Sequence, residues 1–222
     1  MLTEGTQRRS QEERRRLTSN KLIQATIEAV NASGYSGLKA ADITRRAGVT
    51  WGAVQHLFGS KEDLLLVVAN QTYKELSNAL DVDVSPTGSL EERVEWIIGV
   101  TWTAFQSDAY VAMVEILRGS RHQAEFNQVL LERQRKMNDG VRRTWRQIFE
   151  GEKLADHIVD SARDLVTLTL SGLASRRIFL RNDQNPDGIL STLRDATVLT
   201  LSRTDVRPTS GKTGDTEAPL LV

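Results

Sequence analysis

Five residues grouped in one short segment carry side chains suited to reading a nucleic acid. Thr50, Trp51, Ala53, Gln55 and His56 would project from the first turns of a helix, offering a hydroxyl, an indole N–H, a methyl, a carboxamide and an imidazole. Thr50 stands where a hydroxyl caps a helix start, which would fix it at the leading edge. In a helix-turn-helix these are the positions that meet base edges in the major groove. A carboxamide at Gln55 suits the N6 and N7 edge of adenine. Two roles stay open for Trp51. Its indole could press on a thymine methyl or donate to a phosphate, or the ring could pack back on the first helix.

Such a helix needs a rigid mount, and the run AGVTWGAVQHLFGSKEDLL over residues 47–65 supplies one. Gly48 falls where two short helices must turn sharply, so a residue tolerant of positive φ belongs there. Ile43, Val49, Val54 and Leu57 are spaced to set one apolar face of each helix against the other, and Thr44 is small enough for their close crossing. Ser60, followed three residues on by Asp63 and then by an apolar run, is a near match to the capping box and predicts a further helix running to about Leu80. Upstream, Ser10 and Glu13 repeat the pattern before Ile23, Ile27 and Val30, and Gly34 is placed to end that helix.

Taken together, Gly34, Asp42-Ile43, Ala47-Gly48-Val49, Gly52, Phe58 and Ser60-Lys61-Glu62 resemble the amino-terminal signature of TetR-type bacterial transcriptional regulators, over about residues 14–66. The resemblance implies an all-α chain: an amino-terminal three-helix DNA-binding unit with a helix-turn-helix, followed by a helical domain that binds a ligand and dimerises. It also implies that Lys61 contacts phosphate at the head of the fourth helix, where the helix N-terminus favours an anion. Three departures stand out, one of them Trp51, which is unusual at its position. Leu38-Lys39-Ala40-Ala41 replaces the threonine and arginine common in the family, so that phosphate contact is either lost or taken over by Lys39. Gln55 stands where relatives usually carry tyrosine.

Composition and charge fit this picture. The 222 residues, 39% hydrophobic and 26% charged, suffice for one or two modest domains with real cores. Without cysteine there are no disulfides, thiolate metal sites or thiol nucleophiles. The charged stretch Arg8–Arg16 is not followed by an apolar core, so no signal peptide is expected; no spanning segment is evident either, and a cytoplasmic protein is expected. Net charge is zero overall, but residues 1–59 hold nine Lys or Arg against five acids and the remainder holds twenty against twenty-four. A basic head on a mildly acidic body confines phosphate contacts to the small domain. The arginine run 14–16 reads either as a solvated helix face or, beside the helix-turn-helix, as part of a flexible extension brushing the DNA backbone or minor groove.

The expected organisation is a flexible basic arm (1–13), the helix-turn-helix domain (14–66), the helical domain (67–204) and a disordered tail (205–222). Residues 81–88, with Pro86 and Gly88, read as a linker, and Ser89 with Glu92 opens the next helix. Further helices are expected at about 109–118, 122–149, 153–181 and 187–203. Leu165, Leu168, Gly172, Leu173 and Phe179, with Ile189, Leu193, Ala196 and Thr200, form faces that suit either an intrachain core or, as the resemblance implies, a twofold dimer.

Trp96, Trp102, Phe105, Met113, Leu117, Trp145 and Phe149 are candidates to line an apolar effector pocket, with Glu115, Arg118 and Gln147 as polar orienting groups; ordinary core is the alternative for each. Glu115, within an apolar run, would bind a cationic or donor group inside or pair with Arg118, Arg121 or Arg142. No enzyme, cofactor or metal is expected: His56, His122 and His157 are isolated, and neither a phosphate loop nor a nucleophile elbow occurs. The functional expectation is a regulator, most simply a repressor, that binds a palindromic operator as a homodimer and is released by a small apolar or amphipathic effector. The alternative is an interaction module of the same fold that has lost specific DNA binding.

Overall fold

Ser10 begins the first helix of the computed structural model, which describes residues 10–80, 87–179 and 186–203. The basic arm before Ser10, most of the linker and the carboxy-terminal tail lie outside the described residues. Helix α1 (Gln11–Gly37) is capped by Ser10 Oγ, which accepts the Glu13 N–H at 3.2 Å. Its regular part stops at Gly34, whose φ of 66° and ψ of 172° are costly for any residue with a Cβ. Then follow α2 (Ala40–Ala47), α3 (Trp51–Phe58), α4 (Lys61–Ala69) and α5 (Gln71–Ala79). The body continues with α6 (Leu90–Phe105), α7 (Asp108–Gly119), α8 (Ala124–Ile148), α9 (Asp156–Phe179) and α10 (Asp187–Leu201), and no strand occurs among the described residues.

The single helix expected from Ser60 to Leu80 is two, α4 and α5, divided at Asn70. The side chain of Gln134 on α8 donates to the Ala69 carbonyl at 3.4 Å, so a tertiary partner occupies a backbone acceptor at the joint. Local sequence pattern carries no sign of that contact.

Leu22, Ile27 and Val30 of α1 close against Ile43, Val54 and Leu65, all buried, and this packing makes one core of the first four helices. The body is joined to that unit chiefly through α7, which lies along α1 and α4. Asn31 donates to the Asp108 carbonyl at 3.0 Å and the Tyr35 hydroxyl donates to Gln123 Oε1 at 2.7 Å. Gly119 allows the closest approach: a Cβ there would fall 2.3 Å from the Tyr35 Cβ. Within the body, Ser89 and Glu92 form a reciprocal capping box at the head of α6. Arg146 on α8 bridges Asp156 and Asp160 on α9 at 2.5 and 2.6 Å, and α10 packs on α9 and α6.

Candidate functional site

The turn between α2 and α3 is built as the sequence predicts. Gly48 takes the left-handed conformation (φ 66°, ψ 36°), and the Val49 N–H reaches back to the Thr44 carbonyl at 3.1 Å, closing the end of α2 with the long bond of a Schellman turn. A Cβ at Gly48 would meet nothing within 4 Å, so backbone conformation alone selects glycine here. Val54 is buried beneath α3, while Gln55 and His56 are exposed on its outer side and Ala53 is partly so. Trp51 is half-buried and packs against the core, leaving part of the ring at the surface.

Thr50 occupies the cap position of α3 but its hydroxyl makes no cap bond, contrary to expectation. Its backbone carbonyl accepts the Ala53 N–H at 3.1 Å instead, so the side chain is left for an outside partner. Lys39 is exposed at the head of α2, and Lys61 begins α4 behind Ser60, whose Oγ accepts the Asp63 N–H at 3.0 Å. All seven residues expected to meet DNA thus belong to the first four helices, with Thr50, Gln55, His56 and Lys39 fully at the surface.

Arg14, Arg15 and Arg16 are helical residues of α1, not part of a flexible extension. Ser10 starts the helix early, and the exposed arginines ride its first turns. A groove of about 610 Å³ runs between this end of α1 and α3, lined by Arg14, Arg15 and Thr18 on one wall and Ala53, His56 and Leu57 on the other. The two arginines therefore flank the outward helix with their charge. The sequence run named them but could not show that they neighbour His56. Arg45 and Arg46 are turned to acids, Asp42 at 2.9 Å and Glu28 at 3.8 Å.

The residues expected to line or orient an effector site are spread through the body. Phe105, Met113, Trp145 and Phe149 are buried in the core. Phe105 stacks on Tyr110 with ring centroids 4.6 Å apart, and Phe149 lies between Trp145 and the Arg93 guanidinium. Trp102 and Leu117 are partly buried against the same core. Trp96 lines a groove of about 560 Å³ between α5 and α6, with Glu75, Val100 and Thr103. Glu115 does not point among these aromatics: its Oε2 lies beside Gly34, at the joint between α7 and α1. The bend at Gly34 brings the end of α1 over that face of α7, which apolar neighbours in sequence could not reveal. Gln147 is exposed.

A different polar group occupies the interior. Arg163 on α9 is 2% exposed, and Tyr73 on α5 is buried beside it, its hydroxyl pushed up in pKa by burial and by Tyr110, against the opposing pull of Arg163. The Tyr110 hydroxyl is pushed up to about 12, again by burial, with hydrogen bonding to Ser175 and Ser171 working against it. Residues Ile158, Ala162, Val166 and Leu170 mark the buried stripe of α9, and their spacing would have placed Arg163 beside it.

Residues 22–68 match the family described as bacterial regulatory proteins, tetR family. The HTH-type transcriptional regulator BetI of Escherichia coli K12 is 35% identical over 106 residues, which are 46% of this chain and 54% of that protein, so the match spans about half of each. Among solved structures, the TetR-family transcriptional regulator PfmR of Thermus thermophilus is similar in fold (TM-score 0.56, 15% identity, 82% of this chain and 99% of that one). So is the fatty acid degradation regulator FadR of Bacillus halodurans (TM-score 0.63, 14% identity, 86% and 97%). The helix-turn-helix is thus similar in sequence to the tetR family of bacterial regulatory proteins, and the helical body is similar in fold to solved members of it.

Proposed function

We propose that the chain is a ligand-responsive, DNA-binding transcriptional regulator of the bacterial cytoplasm, most simply a repressor, which binds a palindromic operator as a homodimer and is released by a small apolar or amphipathic effector. The observation that carries this reading is the outer side of α3, where Thr50, Gln55 and His56 are exposed with Arg14 and Arg15 alongside. Gln55 reads a base edge, Trp51 and Ala53 offer apolar contact, and Lys39, Lys61, Arg14 and Arg15 hold phosphates.

Two copies would meet through α9 and α10. Leu168 and Gly172 are exposed on the first, and Ile189 and Leu199 on the second; Leu199 extends the face beyond the residues first considered, while Leu193 turns inward. The Phe179 side chain lies outside the described residues. Twofold pairing would set two α3 helices about 34 Å apart, one turn of duplex. The effector acts by favouring a dimer whose α3 spacing no longer fits successive grooves. A coupling of about 1–3 kcal/mol changes occupancy roughly five- to 150-fold. The contacts of α7 with α1 and α4 support α7 as the lever, with α4 and α5 following.

The test is a mobility shift and footprint on the DNA flanking the gene, at two salt concentrations with competitor. A competitor-resistant complex over two half-sites is expected. Lys61→Ala should weaken binding to all sequences alike and lower the salt slope by about one, whereas Gln55→Ala should relax preference at a single base pair by about 1–3 kcal/mol. Weak binding erased by salt, unchanged by either substitution, would favour the interaction-module alternative.

A further inference from the structure

Arg163 is a buried charge with one donor left over. Its Nε and Nη2 both reach Asp164 Oδ1, at 3.1 and 2.5 Å, and Asp164 is itself partly in solvent. Nη1 is buried and has no hydrogen-bond partner. A guanidinium N–H left unmet inside a protein costs more than a neutral donor would, because the charged group loses its hydration. Folded chains rarely retain such a group without a use for it.

Its surroundings repeat the pattern. Thr72, 1% exposed, has a hydroxyl without a partner, and Thr72 adjoins Tyr73, whose buried phenol lies within the electrostatic reach of Arg163. Gln134, 3% exposed, uses its Nε2 on the Ala69 carbonyl but leaves Oε1 unpartnered. At the same joint Asn70 Oδ1 is buried and unpartnered. The leftover groups thus come from the start of α5, the middle of α8 and the first half of α9, and α8 packs on both α5 and α9. They combine a charged donor and one hydroxyl with two amide acceptors, which is a complementary set for a ligand and a poor one for an apolar core.

We infer that the effector of this regulator is a small organic acid, its carboxylate held by Arg163 Nη1 and the Thr72 hydroxyl, and that a hydroxyl or amino group near that carboxylate donates to Gln134 Oε1. The assignment rests on the effector-responsive reading above and names the chemistry of the effector's polar end. Asp164 keeps the guanidinium oriented from outside, and because it takes Nε and Nη2, a pair that a carboxylate could otherwise grip bidentately, the acid is left with Nη1. Tyr73 adds a neutral phenol at the same place. The apolar remainder of the acid faces the aromatic core of the body.

The experiment measures binding and release separately. The intact protein is titrated, by calorimetry and thermal shift, with unsubstituted monocarboxylates from acetate to octanoate, their 2-hydroxy and 2-amino derivatives, and neutral alcohols of equal length; each compound is then added to the operator complex. A 2-substituted acid should bind, and Arg163→Met should weaken it by about ten- to 100-fold while leaving the free protein folded. Gln134→Leu should remove the advantage of the 2-hydroxy or 2-amino acid over the plain acid, and Thr72→Val should weaken both; these keep the inference testable should Arg163→Met not fold. Acids that bind through Arg163 without disturbing the operator complex would uphold the site and overturn the effector reading. Release of the operator by neutral compounds alone, or equal binding of acids to Arg163→Met, would overturn the carboxylate site and leave the regulator reading in place.

Discussion

The amino-terminal unit and the helical body place their polar chemistry in opposite locations. In α2–α4 the interior is apolar, and the groups able to act, Thr50, Gln55, His56 and Lys39, stand in water on a rigid mount. In the body the surface is ordinary, while Arg163, Gln134, Thr72 and Tyr73 are inside. Under the function proposed above, the difference follows from the partner each would meet. A DNA duplex is approached from outside and needs side chains already exposed, whereas a small molecule is selected by enclosing it, which requires polar groups kept dry and short of partners. One place where the two regions are joined is the contact of Tyr35 on α1 with Gly119 on α7, which has no spare room.

Filling that contact should give the largest effect. Gly119→Ala sets a Cβ 2.3 Å from Tyr35 Cβ and 2.5 Å from its Cγ, and neither atom is the free end of a flexible chain. The expected loss is about 3 kcal/mol in denaturant unfolding, at the upper end for overpacking. Tyr35→Ala alone loses its contacts with Phe126 and Gln123, but in the Gly119→Ala background it should recover part of the loss. Strictly additive effects would mean that the joint yields elsewhere and that the two regions are less tightly mated than the close approach indicates.

The body's buried phenols offer a second comparison. In the folded chain the Tyr110 hydroxyl is pushed from its ordinary value of 10.0 up to about 12, and Tyr73 shifts the same way. Because the unfolded chain releases these protons first, the associated stability is fully present below pH 10 and falls as pH rises towards 12. For Tyr110 the decline should be of order 2 kcal/mol, measured by denaturation at a series of alkaline pH values. Tyr110→Phe should flatten that decline, and a profile unchanged by the substitution would show that the phenol is not held neutral by its surroundings. The Tyr35 hydroxyl on α1 is raised as well, by burial and by Glu62 against its bond to Gln123, so part of the decline should survive Tyr110→Phe.

These contrasts explain what the sequence could and could not disclose. Gly48, Ile43 and Val54 state their roles locally, since a turn conformation and a helix face need only near neighbours. The helix-turn-helix, the capping box at Ser89 and the all-α class were legible for that reason. The division at Asn70 was not, and the Gln134 side chain that meets the Ala69 carbonyl beside it comes from a part of the chain distant in sequence. Glu115 misled for the same reason: apolar neighbours indicate burial but not which element arrives from elsewhere, and here the end of α1 does. The aromatics of the body were legible as large and inward-facing, but their pairing into Phe105–Tyr110 and Trp145–Phe149 contacts belongs to tertiary packing. For Arg163 the local signal is only its place beside the apolar stripe of α9, since an arginine there can equally extend to the surface.

The smallest expected effect concerns two hydroxyls with the same apparent job. Ser60 and Thr50 both stand at helix starts, but Ser60 Oγ accepts the Asp63 N–H at 3.0 Å, whereas Thr50 makes no side-chain cap bond. Ser60→Ala should therefore cost about 1 kcal/mol of stability. Thr50→Val, nearly the same shape, should cost under about 0.5 kcal/mol, since an exposed position away from a used cap tolerates change. On operator DNA the order should reverse, with Thr50→Val weakening the complex by about fivefold to tenfold if its free hydroxyl donates to a phosphate. Stability is read by thermal denaturation and affinity by titration at fixed salt, and the two scales must be kept apart because an unstable variant also loses active protein. Equal destabilisation by both substitutions would mean that Thr50 caps α3 in solution after all, and its place among the DNA contacts would then lose its physical basis.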